Sequence, residues 1–335
     1  MRCKILALLA VLVSFPAWAL DSESLQRAAQ YSAAHQGKSL LVQQHGKTIF
    51  QSYVNGSASE PLKIYSGTKG FWILAALSAQ EDGILRLDER VSDTIREWRG
   101  DERKSALTIR DLLTFTAGLD PVFHLHSDDF ADRNAVAITA PIVAPDGQRF
   151  IYGPAALQVF DEVLKRKLAP HHETTTHYLE RRVLAPLGFG RQNYKSDHAS
   201  NPLLASGFRM TAAQWLRMGN LLLHDGAPVV SAKSLSQALH GTPANPAFGM
   251  GFWNNHAAGP NAREFDIEDM LELDWWKQDW RDTCVCRDAP TDMVAAVGSG
   301  YQRLFVIPSM DLVIVRQGTG GRFSDSEFLR LILGR

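Results

Sequence analysis

A serine and a lysine three residues apart are the side chains of this sequence best suited to nucleophilic chemistry. They are Ser66 and Lys69, and they precede a long apolar run at residues 71–77. On a helix, residues three apart share a face, so the hydroxyl and the amine would be neighbours. A serine hydroxyl becomes a good nucleophile when an adjacent group takes its proton, and a lysine kept neutral by burial can do this. The pair therefore predicts an activated serine, with an N-capping serine and a solvated lysine as the alternative.

The apolar run predicts a central, buried helix that opens at Ser66 and ends near Gly83, because the run is apolar on almost every face. The N-terminus of such a helix offers free backbone amides and the positive end of the helix dipole. Both would stabilise the negative charge that develops on oxygen when a serine attacks a carbonyl carbon.

The bulk composition is typical of a globular protein without a nucleic-acid partner. The 335 residues are 45% hydrophobic, enough to bury a large core as one domain or as two closely packed subdomains. The formal net charge is -1, and acidic and basic residues are spread along the chain. Because there is no basic patch and no acidic tail, the sequence predicts no nucleic-acid binding.

The first 19 residues have the pattern of a signal peptide. Arg2 and Lys4 give a charged start, residues 5–13 are apolar, and residues 17–19 form a small-x-small cleavage site. The apolar stretch is too short for a stable membrane span. We therefore expect a cleaved signal peptide, a mature domain at residues 20–335 and a periplasmic or secreted protein, with a retained anchor as the alternative.

The two cysteines of the expected mature chain, Cys284 and Cys286, stand too close together for an unstrained disulfide. An exported protein could still oxidise them, so packed thiols and a strained, reducible disulfide both remain open. A zinc site would need two further ligands at usable spacing, and the sequence does not supply them. We therefore expect no metal ion and no organic cofactor.

The predicted elements run from strands to helices and back to strands. Helices are expected at residues 24–34, 107–116, 155–168, 178–187, 212–223 and 324–333. Extended segments are expected at residues 39–43, 48–54, 248–253, 292–297, 302–307 and 312–317. This order predicts an α/β protein of the α+β type: an antiparallel sheet built from both termini and flanked by helices, with a mostly helical subdomain inserted at about residues 85–225.

Four motifs follow one another in a specific order. They are Ser-x-x-Lys at 66–69, Leu-Thr-Ile-Arg-Asp-Leu-Leu-Thr-Phe-Thr-Ala-Gly-Leu at 107–119, Phe-x-Tyr-Gly at 150–153, and Val-Ile-Pro-x-x-Asp-Leu at 306–312. In this order they resemble the serine β-lactamase-related superfamily, and more narrowly its class C branch, with its penicillin-binding proteins, esterases and D-amino-acid peptidases. The resemblance covers essentially the whole expected mature chain and implies the β-lactamase/transpeptidase-like fold.

The resemblance also implies roles for three residues. In that family the serine attacks an ester or amide carbonyl, and water hydrolyses the resulting acyl-enzyme. By this match Ser66 is the nucleophile, Lys69 is its activating partner, and Tyr152 is the second base and the acid for the leaving group. A tyrosine can act as a base only if nearby cations favour its phenolate, and Lys69 would supply that charge. The alternative for Tyr152 is an aromatic residue on a half-buried strand.

Two positions depart from the family pattern. The Tyr-x-Asn motif has become Tyr-Gly-Pro, so Pro154 replaces an amide, and the basic residue of the third motif has become Ala296. The missing cation helps to hold a substrate carboxylate in the family, which weakens the case for a β-lactamase or a carboxypeptidase. That case would recover if Arg303 or Arg209 replaced the cation.

The resemblance implies an oxyanion hole made by the backbone amides of Ser66 and Ser299. The glycines at Gly298 and Gly300 would let a substrate approach that strand closely, although they could instead mark a bulge or a strand end.

Two further segments have less specific patterns. Residues 275–280 carry three tryptophans, which could wall the site but which we interpret as the packed core of a surface excursion. Residues 123–126, Phe-His-Leu-His, lie in the loop before Tyr152, where polar residues would line the pocket rather than bind a metal.

Together these features predict an exported serine hydrolase that cleaves a small ester or amide through an acyl-enzyme on Ser66. The expected partner is a small-molecule ester, amide or peptide substrate. The alternatives are a D-amino-acid peptidase or weak β-lactamase, or a low-turnover peptidoglycan-binding or sensor protein on the same scaffold.

Overall fold

Residues 20–144, 149–270 and 274–335 are described by a computed structural model of the chain. The predicted signal peptide, residues 1–19, lies outside the described residues. Across those three ranges, no helix combines the length and the apolar character that crossing a bilayer requires.

A six-stranded sheet joins the two ends of the chain. Its strands are β1 Gly37–Gln44, β2 Lys47–Tyr53, β5 Trp253–Asn254, β8 Val294–Gly298, β9 Gln302–Ile307 and β10 Leu312–Gly318. Two further pairs of strands lie outside it: β3 Leu62–Lys63 with β4 Arg209–Met210, and β6 Arg263–Glu264 with β7 Thr283–Cys284. The sheet has the order β2-β1-β10-β9-β8-β5, and its neighbouring strands are antiparallel. This confirms the prediction of an antiparallel sheet built from both termini.

Helices cover the sheet and fill the middle of the chain. They are α1 Ser22–Ala34, α2 Lys69–Glu81, α3 Val91–Thr94, α4 Glu102–Ser105, α5 Ile109–Leu113, α6 Arg133–Thr139, α7 Pro154–Leu168, α8 Thr175–Leu179, α9 Ala212–Leu223, α10 Ala232–Leu239, α11 Ile267–Met270 and α12 Asp325–Leu333. Most of the helices between α2 and α9 lie in the predicted helical insertion.

One predicted helix takes a different form. Residues 178–187 were expected to be a single α-helix, but α8 ends at Leu179 and continues as a π-helical turn, Glu180–Leu184. Ala185 keeps helical backbone, and the helical hydrogen bonds end at Pro186, which has no N–H to donate.

The central helix α2 is buried along nearly its whole length. Every residue from Lys69 to Ala79 is buried, as its all-round apolar sequence predicts. On one face of the sheet α9 packs against β9 and β10, while α1 and α12 pack against each other. The residues just before α2, Tyr65–Thr68, pack against β8 and β9, and this contact holds the predicted nucleophile against the sheet.

Cys284 and Cys286 are both buried free thiols. Of the two alternatives, packed thiols and a strained disulfide, the structure has packed thiols. Burial raises the pKa of the Cys284 thiol to about 11.

Candidate active site

Ser66 lies in a 3₁₀ turn, Tyr65–Thr68, that leads directly into α2. The α-helix begins at Lys69 rather than at Ser66, so the predicted helix start was wrong by three residues. Tyr65 has a φ of 44°, in the left-handed region, and this turns the chain sharply just before the serine. The backbone strain is thus placed next to the predicted nucleophile.

The Lys69 amine is held beside the Ser66 hydroxyl. Its Nζ atom lies 2.7 Å from Ser66 Oγ and donates a second hydrogen bond, of 2.9 Å, to the carbonyl oxygen of Ala205. The residue is only 2% exposed, so the alternative of a solvated lysine is wrong. Burial lowers the pKa of Lys69 to about 7, because the interior disfavours its charged form.

Tyr152 completes a compact group with these two residues. Lys69 Nζ lies 4.6 Å from the centre of the tyrosine ring. Burial raises the pKa of Tyr152 to about 12, and hydrogen bonding with Ser66 opposes that shift without cancelling it. The side chain is therefore mainly a phenol at neutral pH, because desolvation has a larger effect on its pKa than the hydrogen bond with Ser66 and the charge of Arg303.

The end of strand β8 passes very close to the turn that carries Ser66. A Cβ atom at Gly298 would lie 2.0 Å from the carbonyl oxygen of Ile64, so only glycine allows this approach. Ser299 follows and lines the same cavity as Ser66. Gly300 has a φ of 70° in the turn between β8 and β9. The close approach expected for Gly298 is thus observed, whereas Gly300 allows the positive φ that the turn requires.

A single cavity of about 690 Å³ brings together the predicted Ser66, Lys69, Tyr152 and Ser299. The model of the family named Beta-lactamase matches residues 24–325 of the sequence. The chain belongs to the Beta-lactamase family.

The curated relatives of this chain include enzymes that are named as acyltransferases. The monacolin J acid methylbutanoyltransferase of Aspergillus terreus is 29% identical over 163 residues, which cover 40% of this chain and 38% of that protein. The match thus spans well under half the length of this curated relative.

Solved structures show the same fold over nearly the whole chain. A class C β-lactamase from Rhodobacter sphaeroides has a TM-score of 0.68 at 16% identity, covering 93% of this chain and 99% of that one. EstCE1, described as a hydrolase with promiscuous acyltransferase activity, has a TM-score of 0.66 at 17% identity, covering 93% and 97%. At these identities the likeness shows the Beta-lactamase fold alone.

The two departures from the family pattern have visible structural consequences. Pro154, in place of the asparagine, begins α7, where a proline is well tolerated because its missing N–H needs no partner. The Ala205 carbonyl provides the second acceptor for Lys69. Ala296, in place of the basic residue, is buried and pairs with Leu304 of β9.

Neither arginine proposed as a replacement cation reaches the cavity. Arg303 is fully buried and forms a 2.6 Å ion pair with Asp325, while exposed Arg209 donates to the carbonyl oxygen of Pro61. The cations that do line the cavity are Lys63 and Lys195, which the sequence analysis missed. Both lie outside the recognised motifs. Lys63 is in β3, three residues before Ser66, whereas Lys195 reaches the cavity only because a distant loop folds over it.

The tryptophan segment forms part of the core, as we interpreted it. Trp275 and Trp280 are buried, with ring planes 9° apart. The Trp275 ring lies 5.2 Å from that of Tyr152, so the segment supports the tyrosine from behind. Within the 123–126 loop, Phe123 and His126 line the cavity.

One cluster in the described residues has the side chains of a metal site. Glu264, Cys286 and Asp288 offer ligand atoms within 4.8 Å of one another. The Arg330 guanidinium, however, hydrogen-bonds to both carboxylates. That cation already supplies the positive charge at this cluster.

Proposed function

We propose that the chain is a serine hydrolase that cleaves a small ester or amide through an acyl-enzyme on Ser66. The observation that carries this proposal is the 2.7 Å contact between Lys69 Nζ and Ser66 Oγ, made by an amine whose pKa burial lowers to about 7. Such an amine is partly neutral near pH 7 and can accept the serine proton. Membership of the Beta-lactamase family supports the same reaction class.

The proposed acylation uses these groups in turn. Ser66 Oγ bonds to the carbonyl carbon as its proton passes to Lys69, and the amides of Ser66 and Ser299 stabilise the oxyanion. When the tetrahedral intermediate collapses, the bond to the leaving group breaks. The leaving group takes a proton from the Tyr152 phenol, which recovers one from the Lys69 ammonium. Because buried Tyr152 is protonated at neutral pH, it suits the role of acid.

Deacylation repeats these steps with a new nucleophile. Water would complete hydrolysis, whereas an alcohol would accept the acyl group and form a new ester. The methylbutanoyltransferase of Aspergillus terreus and EstCE1, a hydrolase with promiscuous acyltransferase activity, support acyl transfer as a second activity. Loss of the third-motif cation at Ala296 makes a D-amino-acid peptidase or a β-lactamase the weaker proposal.

Export to the periplasm or beyond is a separate proposal that rests on residues 1–19 alone. Expression in a bacterial host, cell fractionation and N-terminal sequencing test it. An exported protein that begins at Leu20 would support it, and an intact N-terminus in the cytoplasm would contradict it.

Fluorophosphonate labelling followed by intact-mass measurement tests the nucleophile. One adduct that maps to Ser66 is expected, and it should vanish in Ser66→Ala. Ser127→Ala is the matched control, because Ser127 is an exposed serine outside the cavity. No adduct on folded protein, or an adduct on another serine, would contradict the proposal. A stable acyl-enzyme without turnover would instead support the sensor alternative.

The pH dependence of kcat/KM should follow the ionisation of Lys69. Above its pKa of about 7 the amine is neutral and can take the Ser66 proton, and below that value it is protonated and cannot. We expect kcat/KM for an uncharged ester to rise with pH through about 7 and then to level off. Because the pKa of Tyr152 is about 12, we expect no fall in kcat/KM below pH 9. A flat profile, or one that falls through pH 7, would remove Lys69 from the role of base.

Removing the Tyr152 hydroxyl should slow the reaction most for poor leaving groups. We expect Tyr152→Phe to lower kcat for an alkyl ester by about 100-fold, and for a 4-nitrophenyl ester by much less, because nitrophenolate leaves without a proton. Tyr194→Phe is the control, since the Tyr194 hydroxyl is held 3.0 Å from Glu180. Equal losses for both esters would contradict an acid role.

A further inference from the structure

His126 stands in the cavity on a backbone held by three charged hydrogen bonds. Arg133 is fully buried and donates from Nε to the carbonyl oxygen of Leu125, at 2.9 Å, and from Nη2 to that of Ser127, at 2.7 Å. Lys195 Nζ donates to the carbonyl oxygen of His126 itself. Three successive carbonyls thus accept charge-assisted bonds, which hold this turn in one position.

The His126 side chain is linked to the catalytic lysine through one short segment. Its Nδ1 lies 3.4 Å from Ser206 Oγ, and the neighbouring residue, Ala205, accepts the hydrogen bond from Lys69. Burial and the charges of Lys69, Lys195 and Arg133 lower the pKa of His126 to about 4. The imidazole is therefore neutral under ordinary conditions.

We infer that His126 and Ser206 form a polar subsite for the acyl group, which favours acyl groups that bear an uncharged hydroxyl. The inference rests on the proposed acyl-enzyme at Ser66. The ring of Tyr152, which would protonate the leaving group, packs against the rings of Phe115 and Trp275. His126 and Ser206 come from other elements, the 3₁₀ turn Phe123–His126 and the loop that follows Ala205. We assign a group bound there to the acyl side of the substrate, so that it would stay with the acyl-enzyme after the leaving group departs.

The chemistry of this pair selects a hydroxyl over a carboxylate. A neutral imidazole has one N–H and one lone pair, and a serine hydroxyl can both donate and accept, so a ligand hydroxyl can satisfy both directions. The nearby cation, Lys195, already pairs with Asp128 at 2.7 Å. Because these two charges offset each other, the subsite recognises a ligand through hydrogen bonds rather than through net charge. An acyl group without a polar substituent leaves the pair without a ligand partner, which lowers its reactivity by comparison.

The test compares 4-nitrophenyl butyrate and hexanoate with 4-nitrophenyl 3-hydroxybutyrate and 6-hydroxyhexanoate. We expect at least one hydroxyacyl ester to have a kcat/KM about tenfold above its plain counterpart. His126→Leu and Ser206→Ala should lower the ratio of kcat/KM for that hydroxyacyl ester to kcat/KM for its plain counterpart to about one, and His126→Gln should restore part of the preference. The backbone bonds that hold the turn do not involve the His126 side chain, so the fold should persist.

His124→Leu is the matched control, because His124 belongs to the same turn and stacks on Phe130, with ring centres 5.8 Å apart. It should keep the preference intact. The inference is overturned if the wild type has no preference, if the preference survives in His126→Leu, or if it follows a hydroxyl in the leaving group instead. Absence of any Ser66 adduct would overturn the proposed function itself, so the two failures are distinguishable.

Discussion

Replacing Lys69 with methionine is expected to lower kcat/KM for an activated ester by about 10³- to 10⁴-fold. Methionine keeps the unbranched apolar stem in the buried site but removes the amine that lies 2.7 Å from Ser66 Oγ. Without a base at that distance, the serine must attack while still protonated. Stopped-flow acylation with a 4-nitrophenyl ester, together with the rate of fluorophosphonate labelling, measures the loss directly.

Two further variants define what the amine does. Lys69→Arg keeps a positive charge but cannot accept a proton, so we expect it to be nearly as impaired as the methionine variant. Lys104→Met removes a second buried lysine, which lies outside the cavity and donates to the carbonyl oxygen of Ile138. That variant should acylate at the wild-type rate. An active Lys69→Arg enzyme would mean that the site requires a charge at this position rather than a base.

The second large effect is expected at a residue with no side chain. In Gly298→Ala, the new methyl group would lie 2.0 Å from the carbonyl oxygen of Ile64 and 2.9 Å from its carbon. Both are backbone atoms, so β8 or the Ser66 turn must move. Such a movement displaces the Ser299 amide from the proposed oxyanion hole. We expect kcat to fall by about 10²- to 10³-fold, the usual cost of losing one oxyanion donor.

Steady-state kinetics and thermal unfolding of Gly298→Ala separate catalysis from stability. The control is Gly100→Ala, because a Cβ atom at Gly100 meets no other atom within 4 Å. It should match the wild type in both kcat and melting temperature. A Gly298→Ala enzyme that is folded and has an unchanged kcat would exclude Ser299 from the oxyanion hole.

The sequence is informative about the site wherever local spacing determines contact. Ser66 and Lys69 meet because they are three residues apart on a helical turn, and that rule holds whether the turn is 3₁₀ or α-helical. The exact start of the helix depends instead on the left-handed backbone of Tyr65. No residue pattern at that position indicates a positive φ, so the start could not be predicted.

Contacts between segments far apart in the sequence could not be predicted from local spacing. Lys195, Ser206 and the Ala205 carbonyl reach the cavity only because their loops fold over α2. The ionisation of Tyr152 also depends on the whole fold. A neighbouring lysine argues for a phenolate, but full burial has the larger effect, and burial is a property of the whole fold.

The sheet could be predicted in outline because its strands have clear boundaries. The last hairpin is bounded by Pro308 and Asp311, and Asp311 takes the left-handed backbone at its turn. The pairing of β1 with β10 followed from the order of elements rather than from any local pattern. Short strands such as β6 and β7 were missed, since two-residue strands have no periodicity to detect.

The joining of both chain ends in one sheet also determines when the enzyme can become active. Strand β1 pairs with β10, and the Ser66 turn contacts the end of β8. Because these partners come late in the sequence, neither contact can form until most of the chain has been synthesised. Pairings between such distant segments are slow to form. A nascent or incompletely folded chain therefore lacks the contact between the Ser66 turn and the end of β8, and we expect the proposed acyl transfer to begin only once the C-terminal strands are in place.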